Sequence, residues 1–171
     1  MPDDELVEQI CLGNEDAAEE LIKRHYASVL RYCRWHCFDS QKAEDLTQEI
    51  FLKLFRSLRK YRKKGKFKTY LYTIANHLCI DENRKVRLYP LDDEEKLVQE
   101  CNEILQVEDH EEIDCLLKTL PSEQREAVIL RFFGQLSFAE IAKVMGCNIR
   151  TAQSRVSRAL KNMRKGQHNE G

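Results

Sequence analysis

Glycine and proline are scarce in this chain, with six glycines and three prolines among 171 residues. Stretches in which apolar and polar residues alternate, the pattern of a half-buried β-strand, are also missing. This scarcity, together with a charged fraction of 33%, argues against a sheet protein and favours a soluble, mostly helical one. The sequence therefore predicts an all-α fold made of two small helical domains.

Long apolar segments are missing as well. No run approaches the roughly 20 apolar residues that a membrane-spanning helix needs. The first residues, MPDDELVEQICLGNED, are acidic and lack the positive start and apolar centre of a signal peptide. These two absences predict a cytoplasmic protein without a membrane segment.

The cysteines do not indicate a disulfide framework, because there are seven of them, an odd number with scattered spacing. The cluster CRWHC, with Cys33, His36 and Cys37 and with His25 upstream, could supply metal ligands. The favoured interpretation is that Cys33 and Cys37, one helical turn apart, pack as small core residues. No metal and no other cofactor is therefore expected.

Positive and negative charges are segregated along the chain, although the formal net charge is only −1. Residues 53–87 are rich in lysine and arginine, and only Asp81 and Glu82 oppose them. Among the Asp, Glu, Lys and Arg residues of 92–114, all are acidic except Lys96. From 150 to 165, every charged residue is positive. This order predicts two modules that bind polyanions, joined by an acidic linker.

The C-terminal part has the pattern of a helix-turn-helix. Ser137 and Glu140 have the spacing of a capping box at the start of a short helix. Gly146 can take the left-handed conformation that ends a helix, and Asn148 is a good N-cap for the next one. Two short helices around a glycine-containing turn are typical of this motif.

The second helix of this motif has an apolar side and a basic side. At about 100° per residue, the apolar residues Ala152, Val156 and Ala159 share one face with Leu160 and Met163. The other sides carry the residues that we predict to contact a DNA major groove: Arg150, Thr151, Gln153, Ser154, Arg155, Ser157, Arg158 and Lys161. The lack of acids fits this prediction, because a carboxylate there would face phosphate charges.

Two parts of the chain resemble a known family. The segment LPSEQREAVILRFFGQLSFAEIAKVMGCNIRTAQSRVSRALKNMRK resembles region 4 of the sigma-70 family, and KAEDLTQEIFLKLFRSL followed by FKTYLYTIANHLCIDENRK resembles region 2. With a short linker between them, the chain resembles an extracytoplasmic-function (ECF) sigma factor, a bacterial transcription initiation factor. The resemblance implies region 2 at residues 1–90, the linker at 91–114 and region 4 at 115–171.

The resemblance also implies partners. The protein would bind core RNA polymerase, at the clamp helices of the largest subunit and at the flap, and direct it to promoter DNA. The residues assigned to the clamp are Asp45, Gln48, Glu49 and Lys53. An anti-sigma factor that covers the polymerase-binding surfaces is a further expected partner. The linker is interpreted either as an RNA mimic in the polymerase or as a plain solvated segment.

Region 4 would recognise the −35 element, and the basic block of region 2 the −10 element. Opening DNA needs positive charge to hold the separated strands and aromatic surfaces to receive unstacked bases. The residues assigned to this task are Tyr61, Lys63, Lys64, Lys66, Phe67, Lys68, Tyr70, Asn76, His77, Asn83 and Arg84. Helix phase predicts that Tyr70 is at least partly buried.

The chain departs from the usual family motif at several of these positions. The family often has Trp in place of Tyr70 and Arg-Asn in place of Asn76-His77. Arg150 and Gln153 replace the Gly and Lys that are frequent in region 4. We therefore expect the promoter preference of this protein to depend on Arg150 and Gln153.

Two other functions agree less well with the sequence. A conventional helix-turn-helix regulator that binds an operator without polymerase would leave the AEDLTQEIF helix and the basic-aromatic block unexplained. An enzyme or metal protein built on the cluster around Cys33 would lack paired catalytic carboxylates, a phosphate-binding loop and a nucleophile motif. No catalytic activity is therefore expected.

Overall fold

The computed structural model describes residues 1–37, 39–62, 65–87 and 111–169, with only the backbone for residues 83–87, 111–114 and 166–169. All regular elements in these ranges are helical, which confirms the all-α prediction. The chain divides into two compact units, Met1–Leu91 and Asp92–Gly171. Among the helices described, none combines the length and the apolar character needed to cross a lipid bilayer.

The first unit is organised around one long central helix. Its described elements are α1 (Asp3–Cys11), α2 (Glu15–Cys37), α3 (Ser40–Ser57), a 3-10 turn (Leu58–Lys60) and α4 (Phe67–Arg87). Helix α2 packs against α1, α3 and α4. The fully buried side chains that form this core include Leu21, Val29, Tyr32, Ile50, Leu54 and Leu71.

Helix α3 buries the apolar face that the 3.6-residue period of KAEDLTQEIFLKLFRSL predicts. The carboxylate of Asp39 accepts the backbone N–H groups of Gln41 (2.9 Å) and Lys42 (3.4 Å) and so caps the first turn. The apolar residues at helical spacing, from Ala43 through Leu46 and Ile50 to Leu54, are buried. The charged and amide side chains between them, Glu44, Asp45, Gln48 and Glu49, are exposed, whereas Thr47 is buried and donates to the Ala43 carbonyl oxygen (2.7 Å).

Helix α1 has no counterpart among the sequence-based predictions. Its nine residues make only about two and a half turns at 3.6 residues per turn, so the apolar period is too short to stand out. Leu6 and Val7 are nevertheless buried. After α1, the side chain of Asn14 accepts the N–H of Ala17 (3.3 Å), which marks the start of α2.

The second unit contains, within the described residues, α5 (Glu111–Lys118), α6 (Ser122–Phe132), α7 (Phe138–Met145) and α8 (Ile149–Asn169). Helix α8 packs against both α6 and α7. The core of the second unit includes Leu117, Leu130, Leu136 and Ile141. Helix α5 begins at Glu111, inside the segment predicted as linker. The rest of that segment, residues 91–110, lies outside the described residues.

Helix α7 begins with the predicted capping box. The Ser137 hydroxyl accepts the Glu140 N–H, and the Glu140 carboxylate accepts the Ser137 N–H, both at 3.2 Å. The prediction of this cap from two residues three positions apart is confirmed, because the motif depends only on local geometry.

Candidate nucleic-acid interface

The turn between α7 and α8 fixes where the basic helix starts. Gly146 has φ +68° and ψ +38°, the left-handed conformation that favours glycine. The Cys147 N–H donates to the Ala142 carbonyl oxygen (3.0 Å). The side chain of Asn148 then accepts the Thr151 N–H (2.7 Å) and caps α8. Both predicted roles, the glycine turn and the asparagine cap, are confirmed.

Helix α8 buries its apolar side and exposes its basic side. Ala152, Val156 and Ala159 are buried, whereas Thr151 and Ser154 are half-buried. The predicted DNA-binding residues with exposed side chains are Arg150, Gln153, Ser157, Arg158 and Lys161. Because the helix carries no acid from Ile149 to Lys165, this exposed surface is positively charged along its whole length.

Arg155 differs from the other predicted DNA contacts. Its guanidinium lies 3.5 Å from the carboxylate of Glu123 in α6, and its side chain is only 22% exposed. A second link joins the same two helices, because the Asn162 amide donates to the Gln124 side-chain oxygen (2.9 Å). Arg155 thus also holds α8 against α6, and its charge is partly balanced by Glu123.

A basic loop, defined here as residues 59–66, connects the 3-10 turn to α4. Its described basic side chains are all exposed: Arg59, Lys60, Arg62 and Lys66. Lys63 and Lys64, which were also predicted to contact DNA, lie outside the described residues. The loop also contains Tyr61, whose ring centroid lies 5.2 Å from that of Tyr70 and 6.1 Å from that of Phe67. The loop therefore combines exposed cations with an aromatic cluster.

Helix α4 leaves some of the predicted −10 residues accessible. His77 is exposed, and Lys68 and Tyr70 are half-buried. The Tyr70 hydroxyl donates to the Ser57 carbonyl oxygen (3.1 Å), which ties the ring to the end of α3. Asn83 and Arg84 also belong to α4, but their side chains are not described.

Two other predicted −10 residues, Phe67 and Asn76, lie in the core. Each is only 3% exposed, and the Asn76 amide donates to the Tyr32 hydroxyl (3.1 Å). Their positions in the motif suggested contact with DNA, but tertiary packing turns both side chains inward. In this conformation both side chains belong to the core of the first unit and are not part of its exposed surface.

The polar face of α3 carries the residues assigned to the polymerase. Asp45, Gln48, Glu49 and Lys53 are all exposed. The Asp45 carboxylate accepts a hydrogen bond from the Gln41 side chain (3.2 Å), one turn earlier. The face therefore presents two carboxylates, an amide and a lysine side by side.

Leu52 belongs to this α3 face, although no sequence signal assigned it a function. It is 57% exposed, unlike the other leucines of this helix. At about 100° per residue, Leu52 lies within about 60° of Asp45, Gln48 and Glu49 around the helix. An apolar residue out of phase with the buried stripe is the signal that could have identified it. A central apolar side chain with a polar surround is typical of a protein-binding surface.

The cysteine and histidine cluster of α2 does not converge on a common point. Cys33 is buried, and a hydrogen bond with Cys79 lowers the pKa of its thiol. The His36 ring packs on Tyr32, with centroids 4.7 Å apart, and His25 Nε2 lies 3.0 Å from an Asp3 carboxylate oxygen. Across the described part of the chain, no three His, Cys, Asp or Glu side chains are grouped as metal ligands.

Cys37 should be poorly reactive although its side chain is half-buried. Burial, with a smaller contribution from Cys33, raises the pKa of the Cys37 thiol to about 12. The reactive thiolate is therefore rare at neutral pH. We expect iodoacetamide at pH 7.5 to alkylate the exposed Cys11 at least about tenfold faster than Cys37, as followed by peptide mass spectrometry. The Cys37 rate should still be rising at pH 10.

The control for this experiment is the unfolded protein, in which the two cysteines should react at similar rates. Equal rates in the folded protein would contradict the protonated, shielded state of Cys37.

Comparison with known proteins identifies the two units. Residues 21–88 match the family Sigma-70 region 2, and residues 110–163 match Sigma-70, region 4. The chain is 34% identical over 165 residues to the probable RNA polymerase sigma-C factor of Mycobacterium bovis, covering 92% of this chain and 89% of that protein. It is 30% identical over 172 residues to the RNA polymerase sigma-H factor of Pseudomonas aeruginosa, with the same coverages.

Solved structures show the same fold. CnrH in complex with the cytosolic domain of CnrY is similar with a TM-score of 0.72 and 20% identity, over 99% of both chains. The sigma factor RpoE of Bartonella quintana, in complex with the anti-sigma factor NepR, is similar with a TM-score of 0.67 and 22% identity, over 86% of this chain and 94% of that one. The chain belongs to the sigma-70 family and, within it, to the ECF sigma factors.

Proposed function

We propose that this ECF sigma factor binds core RNA polymerase, directs it to promoters through a −35 and a −10 element, and helps to open the DNA there. The observation that carries the proposal is the presence of both regions in one chain, in the order 2 then 4. The sigma factor would contribute binding and positioning, with no catalytic step of its own. Its place of action would be the cytoplasm, where promoters and polymerase meet.

The proposed −35 surface is the exposed side of α8. A helix of this kind places its first turns against base edges in a major groove, while cations further along contact phosphates. Arg150 and Gln153 lie in the first turns and are exposed, so they are suited to base recognition. Arg158 and Lys161 follow on the same side and are suited to phosphates.

The proposed −10 surface is the basic loop with the adjacent part of α4. Arg62, Lys66 and Lys68 would hold the phosphates of the separated strand. Tyr61 and Tyr70 would offer aromatic surface to an unstacked base at the edge of their cluster. Exposed His77, about two turns further along α4 than Tyr70, extends this surface.

The proposed polymerase surface is the exposed face of α3, with Leu52 at its centre. A few central residues usually carry most of the affinity of a protein interface, and surrounding polar residues exclude water. Leu52 would bury its side chain against the clamp helices, and Asp45 and Glu49 would meet basic side chains there. Gln48 and Lys53 complete the polar surround.

An anti-sigma factor is a further proposed partner, one that would compete for the α3 face. The Bartonella quintana RpoE complex contains such a factor, NepR, bound to that protein. A partner that covers Leu52 would block access of the polymerase without any change in the fold of α3.

A conventional operator-binding regulator is not favoured, since residues 21–88 match region 2 and such a regulator needs only the second unit. Run-off transcription from a library of randomised promoters distinguishes the two functions. We expect promoter-specific transcripts only when core polymerase and this protein are both present. Tight binding to one operator by the protein alone, with no core-dependent transcript, would reject the sigma-factor proposal.

A further inference from the structure

One carboxylate accepts hydrogen bonds from two residues of the basic loop, Tyr61 and Gly65. The Tyr61 hydroxyl donates to Asp4 Oδ1 (2.8 Å), and the Gly65 N–H donates to Asp4 Oδ2. Asp4 lies in the first turn of α1, 57 and 61 residues away from these partners in sequence. The N-terminal helix therefore contacts two residues of a loop that belongs to a distant part of the chain.

The contacts around Tyr61 continue this closure into α4. The Lys66 N–H donates to the Tyr61 hydroxyl oxygen (3.1 Å), directly before α4 begins. Burial and the hydrogen bond to Asp4 raise the pKa of Tyr61, so its hydroxyl keeps the proton that it donates. Gly65 has φ +77°, a conformation that glycine adopts easily but does not impose. The placement of Gly65 beside Tyr61 thus depends on these hydrogen bonds.

Helix α1 is itself fixed to the unit at the adjacent residue. Asp3 accepts from Arg24 at 3.0 Å and lies 3.0 Å from Nε2 of the buried His25. Together with the burial of Leu6 and Val7, these contacts hold the first turn of α1 against α2. Asp4 therefore lies in a helix that is packed and hydrogen-bonded to α2, although α1 precedes the part of the chain that matches region 2.

We propose that Asp4 is a positioning residue for −10 recognition, because its carboxylate fixes Tyr61 and Gly65 in the arrangement that receives the separated strand. This inference rests on the proposed role of the basic loop. A loop that is ordered before binding loses less conformational entropy when it binds, so strand affinity should depend on a residue that need not touch DNA.

The sign of the effect separates this role from simple electrostatics. Asp4 is an anion beside a surface proposed to bind phosphates, so removing its charge should tighten DNA binding if charge alone mattered. If Asp4 orders the loop, its removal should weaken DNA binding instead. The two explanations therefore predict opposite changes for Asp4→Asn.

The experiment measures the binding of holoenzyme to a fluorescent fork-junction DNA with a single-stranded −10 segment. The sequence of this segment is taken from a promoter recovered in the run-off transcription experiment with randomised promoters. We expect Asp4→Asn to weaken binding about fivefold, since a hydrogen bond to a charged group is lost. Glu5→Gln removes the same charge from an exposed neighbour in α1 and should leave binding unchanged or slightly tighter. Affinity for core polymerase should be the same in all three proteins.

Tyr61→Phe supplies a second test, because it removes the other partner of the hydrogen bond but keeps the ring. We expect it to weaken binding to a similar degree. The double variant should be little worse than Asp4→Asn alone, since both changes affect the Asp4–Tyr61 hydrogen bond and only Asp4→Asn also affects the contact with Gly65. Hydrogen exchange at the Gly65 and Lys66 amides should speed up in Asp4→Asn.

Two results would overturn the inference. The first is that Asp4→Asn holoenzyme binds the fork-junction DNA as tightly as Glu5→Gln holoenzyme, or more tightly. The second is that Asp4→Asn loses as much affinity for core polymerase as for the DNA. Lys66→Glu distinguishes failure of the inference from failure of the proposed function. If Lys66→Glu weakens strand binding and Asp4→Asn does not, only the role of Asp4 is rejected. If Lys66→Glu has no effect, the basic loop does not bind the strand and both proposals are rejected.

Discussion

Asp45→Arg is expected to lower the affinity for core RNA polymerase by about a hundredfold. The proposed partner surface on the clamp is basic, so the substitution replaces an attraction by a repulsion between like charges. Such a juxtaposition costs about 3 kcal/mol, which corresponds to a factor of about a hundred in the dissociation constant. Titration of labelled sigma factor with core polymerase, by fluorescence anisotropy, measures the change directly.

The control for Asp45→Arg is Glu15→Arg, which makes the same change of charge at an exposed position outside the region 2 match. Core affinity should stay within about twofold of the wild-type value in this control. Leu52→Asp, at the centre of the same α3 face, should act in the same direction as Asp45→Arg. Unchanged affinity in both α3 variants would reject this face as the polymerase contact.

Local features were predictable from the sequence because they depend on neighbouring residues. The capping box at Ser137, the left-handed Gly146 and the Asn148 cap each involve residues no more than five positions apart, and all three are present. The buried and exposed faces of α3 and α8 followed from helical spacing for the same reason. These elements carry the predicted polymerase face and the predicted −35 surface.

Features that depend on tertiary packing could not be predicted from spacing. Phe67 lies between two lysines and Asn76 is polar, yet both are buried, and the contact of Asn76 with Tyr32 spans 44 residues. The link from Asp4 to the basic loop spans about 60 residues and starts in a helix too short to show a period. The pairing of Arg155 with Glu123 likewise joins two helices. Each of these contacts changes which side chains the site can use.

Arg158→Glu is expected to reduce transcription from −35-dependent promoters about thirtyfold and to leave core affinity unchanged. The exposed Arg158 side chain lies opposite the buried stripe of α8, where it would contact a phosphate of the −35 element. The reversal removes one such contact and adds repulsion from the DNA, a loss of about 2 kcal/mol. The milder Arg158→Ala should reduce this transcription about tenfold. It should also lower the slope of log DNA affinity against log salt concentration by about one.

Lys165→Glu is the matched control for Arg158→Glu, because it makes the same change on nearly the same side of α8. At 1.5 Å per residue, Lys165 lies about 10 Å further from the turn that sets the helix against the groove. If the first turns of α8 enter the major groove, the control should lose only about twofold to threefold in activity. Equal losses would mean that the helix lies flat along the backbone and senses charge alone. A parallel loss of core affinity in Arg158→Glu would instead place α8 against the polymerase, and the −35 assignment would then pass to another surface of the second unit.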